Sequence, residues 1–580
     1  MSVTGTGAGR EPGRLQRLAD AALGRALGHV PARNTYRVDR AVGVPMRDGV
    51  TLLADHYAPV GAAPRGTVLI RTPYGRDFPD GWVHARTYAA RGYHVVVVSV
   101  RGTAGSGGTF RAMAQETDDG QDTVRWLRTR VWFDGRLATL GGSYLGWAQW
   151  TLLQDPPPEM RAALVYVAPH DFHRAVFGTG SFTLADFFTW SAQVARPQEP
   201  GLLRRFAGGP AARRRLAPGL HGLPLADAAR SVLAGHAPWY GEWLGNAERG
   251  EEFWAPYRAT AALGRVDVPV LLVGGWQDMF LDQTLEQYRV LRGRGVDVAL
   301  TVGPWTHVGA ATRGAGMVGR DTLAWLDEHV AGGTAGTNGA GDAGGPNSAA
   351  RPAGTASTGS TGRVRPPVRM FRTGERAWHD LPFWPPATVA AGFHPYPDGR
   401  LEAAGPADAT VTFRYDPADP TPSVGGAVLA GTAGVRDNRP LESRADVVTF
   451  TTAPLDVDLD VAGTPVLELT VAVDNPYADV FARVCDVDAR GRSRNVADVF
   501  RRLDPAVPAG EKRRLRLTLD ACFHRFVAGH RLRLLVCGGA HPRYARNLGT
   551  PGTIGGGSAL TPARHTVSCG ESRLILPVVS

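Results

Sequence analysis

Short, mainly apolar runs punctuate the first 330 residues. Thr67–Arg71, Tyr93–Val100, Leu137–Leu140, Leu164–Ala168, Pro269–Gly274 and Val298–Val302 are strand-sized, and continuous apolar runs of that length mark strands buried on both faces. Between several of them the period lengthens to that of a helix, as in Asp119–Arg130 and Tyr144–Leu153. Strands alternating with helices predict a mostly parallel sheet covered on both sides. A hairpin precedes it, because Tyr36–Pro59 alternates around a turn at Asp48–Gly49. Leu15, Leu18, Ala22 and Leu23 predict a short amphipathic helix behind an N-terminal tail.

The alternation breaks between Asp171 and Ala262, where Phe172, Phe187, Phe188, Trp190, Trp239, Trp243 and Trp254 recur at helical spacing without a strand pattern. This reads as a helical cap inserted into one α/β domain. After a closing helix at Asp321–Val330, Ala331–Gly362 consists almost wholly of Gly, Ala, Thr, Ser, Asn and Pro, the composition of a flexible linker. Beyond it, alternating runs such as Val447–Thr451, Val466–Val473, Asp479–Val487 and Arg531–Cys537 lie between Gly-, Pro- and Asp-rich turns. They predict an antiparallel β-sandwich of the jelly-roll kind. The expected order is a tail and helix (1–35), an α/β domain in two parts (36–170 and 263–330) around a cap (171–262), a linker (331–363) and a sandwich (364–580).

A chain of 580 residues suits this multidomain division. The net charge is +10, yet only one basic residue, Lys512, is a lysine, and the arginines are scattered without interleaved aromatics. Arg, Gly, Ala and Pro rising together point to a GC-rich genome rather than to phosphate contacts, so no nucleic-acid partner is expected. No apolar run approaches the roughly 20 residues of a membrane helix, and none of the four cysteines has CxxC spacing. Buried thiols in a cytoplasmic protein are the expectation. With no HExxH and no phosphate loop, neither a metal nor a cofactor is expected.

Three strand ends carry candidate chemistry. Ala138–Trp147 reads A-T-L-G-G-S-Y-L-G-W: a strand, a glycine pair, Ser143 and a helix-compatible segment, the setting of a nucleophile elbow. Its second glycine, Gly146, stands one residue later than in G-x-S-x-G. Val270–Asp278 ends a strand in Gly-Gly and an acid, with Asp282 as a rival. Val298–His307 ends a strand in Gly-Pro-Trp-Thr-His. Ser143, Asp278 and His307 follow in the chain order of α/β-hydrolases: nucleophile, orienting acid and general base. Early in the chain, Tyr74 follows the strand that supplies the second oxyanion donor in this fold; its phenol beside the Tyr144 N–H is the candidate pair.

R-T-P-Y (Arg71–Tyr74), R-G-T-A-G-S-G-G (Arg101–Gly108), G-G-S-Y-L-G (Gly141–Gly146), G-G-W-Q-D (Gly274–Asp278) and G-P-W-T-H (Gly303–His307) together resemble the CocE/NonD hydrolases. That group contains cocaine esterase, α-amino acid ester hydrolases and X-Pro dipeptidyl-peptidases. The resemblance implies the triad Ser143, Asp278 and His307, an oxyanion hole of Tyr74 and Tyr144, a helical cap and a C-terminal jelly roll. It departs at Ser99, where members often carry an acid, and at the 331–362 insertion.

The residues after Asp278 are Met279, Phe280 and Leu281, so the acids that hold an ammonium in amino-ester members are missing there. An uncharged, apolar acyl group is therefore expected, in a pocket lined by Trp147, Trp190 and Phe280. The expected activity is hydrolysis of a small-molecule ester or amide through an acyl-enzyme on Ser143, with no membrane partner. An X-Pro dipeptidyl-peptidase is the alternative, with Asp186 among the cap acids available to hold a peptide N-terminus.

Overall fold

The computed structural model describes residues 10–29, 31–32, 34–61, 63–77, 80–195, 210–247, 251–332, 366–429 and 431–580. The expected linker at 331–363 lies almost wholly outside them.

The hairpin forms as β1 (Thr35–Pro45) and β2 (Thr51–Val60), paired antiparallel. Behind it come β3 (Thr67–Thr72), β4 (His94–Ser99), β5 (Leu137–Gly142), β6 (Met160–Tyr166), β7 (Val270–Gln277) and β8 (Val298–Thr306). Together with β9 (Val368–Arg372) and β10 (Ala377–Leu381) they make one ten-stranded sheet in the order 1-2-4-3-5-6-7-8-9-10. The pairings from β4 through β9 are parallel. All positions of β3, β4 and β7 are buried, which is why these strands read as unbroken apolar runs. The chain steps from β3 outward to β4 and then back across β3 to β5. That reversal opens a crevice at the carboxyl ends of β3 and β5, the place where open α/β sheets take ligands.

Membership of β9 and β10 in this sheet differs from the expected boundary at 364. Their sequence alternates like that of the later strands, but β9 pairs in parallel with β8, Leu300 opposite Val368. The all-β region proper begins after them. Its strands form one nine-stranded and one four-stranded sheet among the described residues. Leu467, Leu469, Val471 and Val473 from one sheet and Leu532, Leu534 and Val536 from the other bury alternate positions in a shared core, the period-2 pattern of packed antiparallel sheets.

The N-terminal helix α1 (Arg14–Ala26) forms as expected, but Leu15 and Leu18 face outward, 84% and 58% exposed. Helix α2 (Glu116–Arg128) and helix α3 (Tyr144–Leu152) cover the sheet. Between β6 and β7 the described residues are mainly helical, including α4 (Phe172–Phe177), α5 (Leu184–Val194), α6 (Pro210–His221), α7 (Leu225–Leu233) and α8 (Pro238–Gly245). The aromatics counted in the sequence pack edge to face here; Phe172 meets Phe187 at 5.0 Å and Trp243 at 4.8 Å. Helix α9 (Leu281–Gly293) follows β7, and α10 (Ala315–Leu326) follows β8.

All four cysteines are unpaired and buried. Burial pushes the Cys485, Cys522 and Cys537 thiols up to about 12, so they are unreactive at neutral pH. Among the described residues, no helix is long and apolar enough to cross a membrane.

Candidate active site

Ser143 stands between the end of β5 and the start of α3 with φ 56° and ψ −120°, a conformation that costs a non-glycine residue strain. The glycines around it explain how the chain gets there. A Cβ on Gly141 would lie 2.4 Å from the Cβ of Leu145, and one on Gly146 would lie 2.3 Å from the Cβ of Ala168. Helix α3 thus packs against the end of β6 at a distance only glycine permits. The Ser143 N–H donates to the Tyr166 carbonyl (3.0 Å), and its own carbonyl accepts from Trp147 N–H (2.9 Å). Tyr144 N–H, first in the helix, has no intrahelical acceptor.

Asp278 and His307 follow neighbouring strands, β7 and β8. Asp278 Oδ1 and His307 Nδ1 lie 2.7 Å apart, both residues buried. Asp278, rather than Asp282, therefore partners the histidine; Asp282 lies in the first turn of α9. Thr306 caps the short helix His307–Ala311 by accepting from Gly309 N–H (3.2 Å), which fixes where the imidazole leaves the backbone. Phe280 packs edge-on against that ring, centroids 5.4 Å apart. Ser143 and His307 make no direct hydrogen bond; such bonds are often long before substrate binds.

Tyr74 follows β3 across the crevice, and its hydroxyl oxygen accepts from Trp190 Nε1 (3.0 Å). The Tyr144 ring is fully buried. Its hydroxyl donates to Glu116 Oε1 (2.7 Å), and Glu116 Oε2 takes Arg71 Nη2 (2.5 Å). Burial raises the Glu116 carboxyl, and the adjacent Arg71 guanidinium opposes that rise. This buried chain ties the residue after Ser143 to β3, the strand that leads to Tyr74. Glu116 carries no motif in the sequence; only its place at the start of α2 hints at it.

Trp147 does not line the crevice as expected. It is fully buried, donates through Nε1 to the Met113 carbonyl (2.9 Å) and packs on Phe172. Helix α3 is buried on every side, and its spacing cannot tell which residue faces a ligand. Trp190 is buried as well, and its indole N–H is given to Tyr74.

Two elements that sequence spacing does not bring together also meet here. Asp186 at the start of α5 accepts Leu429 N–H (2.8 Å) from a loop of the all-β region. Its other oxygen is buried without a hydrogen-bond partner. Burial pushes this carboxyl up to about 6, opposed by the Leu429 N–H and by the charges of Arg543 and His307. From the same loop Gly434 approaches Thr306, and its carbonyl accepts from Asn495 Nδ2 (3.2 Å). That amide also donates to Gln277 Oε1 (3.0 Å), one residue before Asp278. The all-β region thus touches the residues preceding both Asp278 and His307.

The family profile described as X-Pro dipeptidyl-peptidase (S15 family) matches residues 48–309. The one described as X-Pro dipeptidyl-peptidase C-terminal non-catalytic domain matches residues 363–574. Cocaine esterase of Rhodococcus sp. (strain MB1 Bresler) is 28% identical over 90% of this chain and 94% of its own. The chain is a serine hydrolase that resembles the CocE/NonD hydrolases. Solved structures similar to this hydrolase include an aminopeptidase from a marine sediment Thaumarchaeota archaeon, with a TM-score of 0.75, 22% identity and coverage of 94% of this chain and 97% of that one. An α-amino acid ester hydrolase matches with a TM-score of 0.75, 21% identity and coverage of 94% and 96%. A CocE/NonD family hydrolase from Staphylococcus aureus gives 0.65, 15% identity and 94% of both chains. At these identities the structures speak to the fold: an α/β-hydrolase-type domain with a C-terminal all-β domain. At the family's departure point, Ser99 Oγ accepts from Arg76 Nη1 (2.7 Å), and Asp55 supplies the acid to the same guanidinium at 2.9 Å.

Proposed function

We propose that this hydrolase cleaves carboxylic esters of small apolar acids, with Ser143 as nucleophile, His307 as general base and Asp278 as its orienting acid. The observation that carries this reading is the 2.7 Å contact of Asp278 Oδ1 with His307 Nδ1. With Nδ1 engaged by the carboxylate, Nε2 is the nitrogen left for the serine. Ser143 Oγ attacks the ester carbonyl carbon as its proton passes to His307 Nε2. The carbonyl π pair moves onto oxygen, toward the Tyr74 hydroxyl and the Tyr144 N–H. Collapse breaks the C–O bond to the alcohol, which leaves with the proton held by His307. Water then repeats the cycle on the acyl-enzyme. Each oxyanion donor is worth roughly 10²–10³ in rate.

On this reading the helices between β6 and β7 act as a cap over the crevice, and the C-terminal strands form a jelly roll that closes its far side. Phe280 and Trp190 supply apolar walls for the acyl group. The test pairs the wild type with Ser143→Ala, using a fluorophosphonate probe and p-nitrophenyl acetate. Labelling and turnover are both expected to vanish in the variant, turnover by several orders of magnitude. Labelling that survives in Ser143→Ala refutes the assignment.

Asp186 favours a second reading, cleavage of substrates with a free α-amino group, X-Pro peptides included. Its unpartnered buried oxygen is a carboxylate of the kind an ammonium needs, and it comes from the cap rather than from the segment after Asp278. A panel of aryl esters and Xaa-Pro anilides separates the two. Under the second reading, Asp186→Asn raises KM for the anilides and leaves it unchanged for the esters.

A further inference from the structure

Trp190 touches both residues that carry the candidate oxyanion donors, Tyr74 through its indole N–H and Tyr144 through the ring. Its indole Nε1 is 3.0 Å from the Tyr74 hydroxyl oxygen. Its ring stacks on that of Tyr144, with centroids 6.1 Å apart and planes 20° apart. Trp243 stacks on it as well, at 6.2 Å and 21°. Helix α5, which carries it, is held at three points. Ala185 N–H donates to the Pro542 carbonyl (2.9 Å), Asp186 accepts Leu429 N–H, and Ser191 Oγ accepts Trp239 Nε1 (3.1 Å). The indole therefore has little freedom to move.

We propose that Trp190 is a positioning residue that aims the Tyr74 hydroxyl at the oxyanion, so that the inserted helices complete the hole. The argument rests on the reading of Tyr74 as an oxyanion donor. An indole N–H donates and never accepts, so at this contact the Tyr74 oxygen is the acceptor. The phenolic hydrogen, confined near the ring plane, is then directed away from Trp190. With that donor gone, the in-plane orientation toward position 190 opens to the phenolic hydrogen, and that orientation does not serve the hole. Tyr74 belongs to the α/β domain and Trp190 to the insertion, so the hole is assembled across the boundary between them. This differs from the role of apolar pocket wall, which uses the face of the indole and not its N–H.

The test is a double-mutant cycle in the full-length enzyme with Trp190→Phe, Tyr74→Phe and the pair, assayed on p-nitrophenyl acetate and butyrate. Phenylboronic acid, which forms a tetrahedral adduct with the nucleophile, reports on the hole without turnover. Tyr74→Phe is expected to lower kcat about 10²–10³-fold. Trp190→Phe should lower kcat about tenfold with KM within about twofold, and weaken phenylboronic acid in proportion. Added to Tyr74→Phe, it should change kcat less than about twofold, because its target is gone. Trp190→His keeps a ring N–H and should retain more kcat than Trp190→Phe; fluorophosphonate labelling of Ser143 checks that each variant is folded. The proposal is overturned if Trp190→Phe costs the same factor in both backgrounds, if it alters only KM and the preference between acetate and butyrate, or if Trp190→His is the worse variant. An unchanged kcat in Tyr74→Phe overturns the oxyanion role of Tyr74 itself, a different failure.

Discussion

Replacing Gly146 by alanine sets two effects against each other. Alanine is the better helix former by about 1 kcal/mol, and Gly146 lies inside helix α3. Yet the new Cβ would sit 2.3 Å from the Cβ of Ala168, 3.2 Å from Val165 Cγ1 and 3.4 Å from the Gly141 carbonyl oxygen. Carbon atoms pack at about 3.5–4 Å, so the helix and the end of β6 must separate by roughly 1.5 Å. Overpacking of this size costs about 1–3 kcal/mol, which leaves a net loss of about 0–2 kcal/mol after the gain in propensity. The elbow is part of the same segment, because Ser143 opens the helix and donates to Tyr166 at the end of β6. A displacement near 1 Å at a reacting atom costs about 10² in rate. Gly146→Ala should therefore lose about 100-fold in kcat on p-nitrophenyl acetate while its urea midpoint moves little. Ala168→Gly removes the opposing methyl and should restore most of the activity in the double variant. A Gly146→Ala enzyme within threefold of wild type refutes the reasoning. So does a double variant no better than the single.

Three further outcomes are expected. Asp278→Asn should lower kcat about 10⁴-fold with KM little changed, since the amide no longer holds the imidazole in its working tautomer; steady-state kinetics checks it. Asp186, pushed up to about 6 by burial, lies above its unfolded value. The associated stability is fully present below about pH 4 and lost as pH rises through 6, by about 3 kcal/mol. Asp186→Asn, which keeps an acceptor for Leu429 N–H, should then raise the urea midpoint at pH 8 and leave it unchanged at pH 4. Glu116→Gln leaves Arg71 buried without a counter-charge and should cost about 3–5 kcal/mol, read from chemical unfolding.

Much of the sheet is legible in the sequence because parallel strands buried on both faces must be apolar throughout. The elbow is legible for a related reason: the turn packs Leu145 onto position 141, and α3 approaches the end of β6 at position 146, so both leave room for glycine alone. What stays hidden depends on distance along the chain. Asp186 and Leu429 are 243 residues apart, and Asn495 and Gln277 218; no local spacing encodes such pairs. Trp147 misleads for the opposite reason, since a helix buried all round has no polar face to mark its exposed side. The start of the sandwich misleads because β9 and β10 form an alternating antiparallel pair like the later strands, while β9 also pairs in parallel with β8.

That last feature bears on how the chain can be divided. The C-terminal sequence module begins at residue 363, but its first two strands are the edge of the other module's sheet. Trp276 Nε1 donates to the Phe371 carbonyl at 2.6 Å across this seam. A fragment ending at residue 332 would leave β8 as a bare edge, with unpaired backbone groups and apolar flanks, a template for aggregation. Doubling a flexible loop, by comparison, costs only about 0.6 kcal/mol in closure entropy. The two sequence modules therefore share one sheet, and a cut at their boundary divides a folding unit rather than separating two.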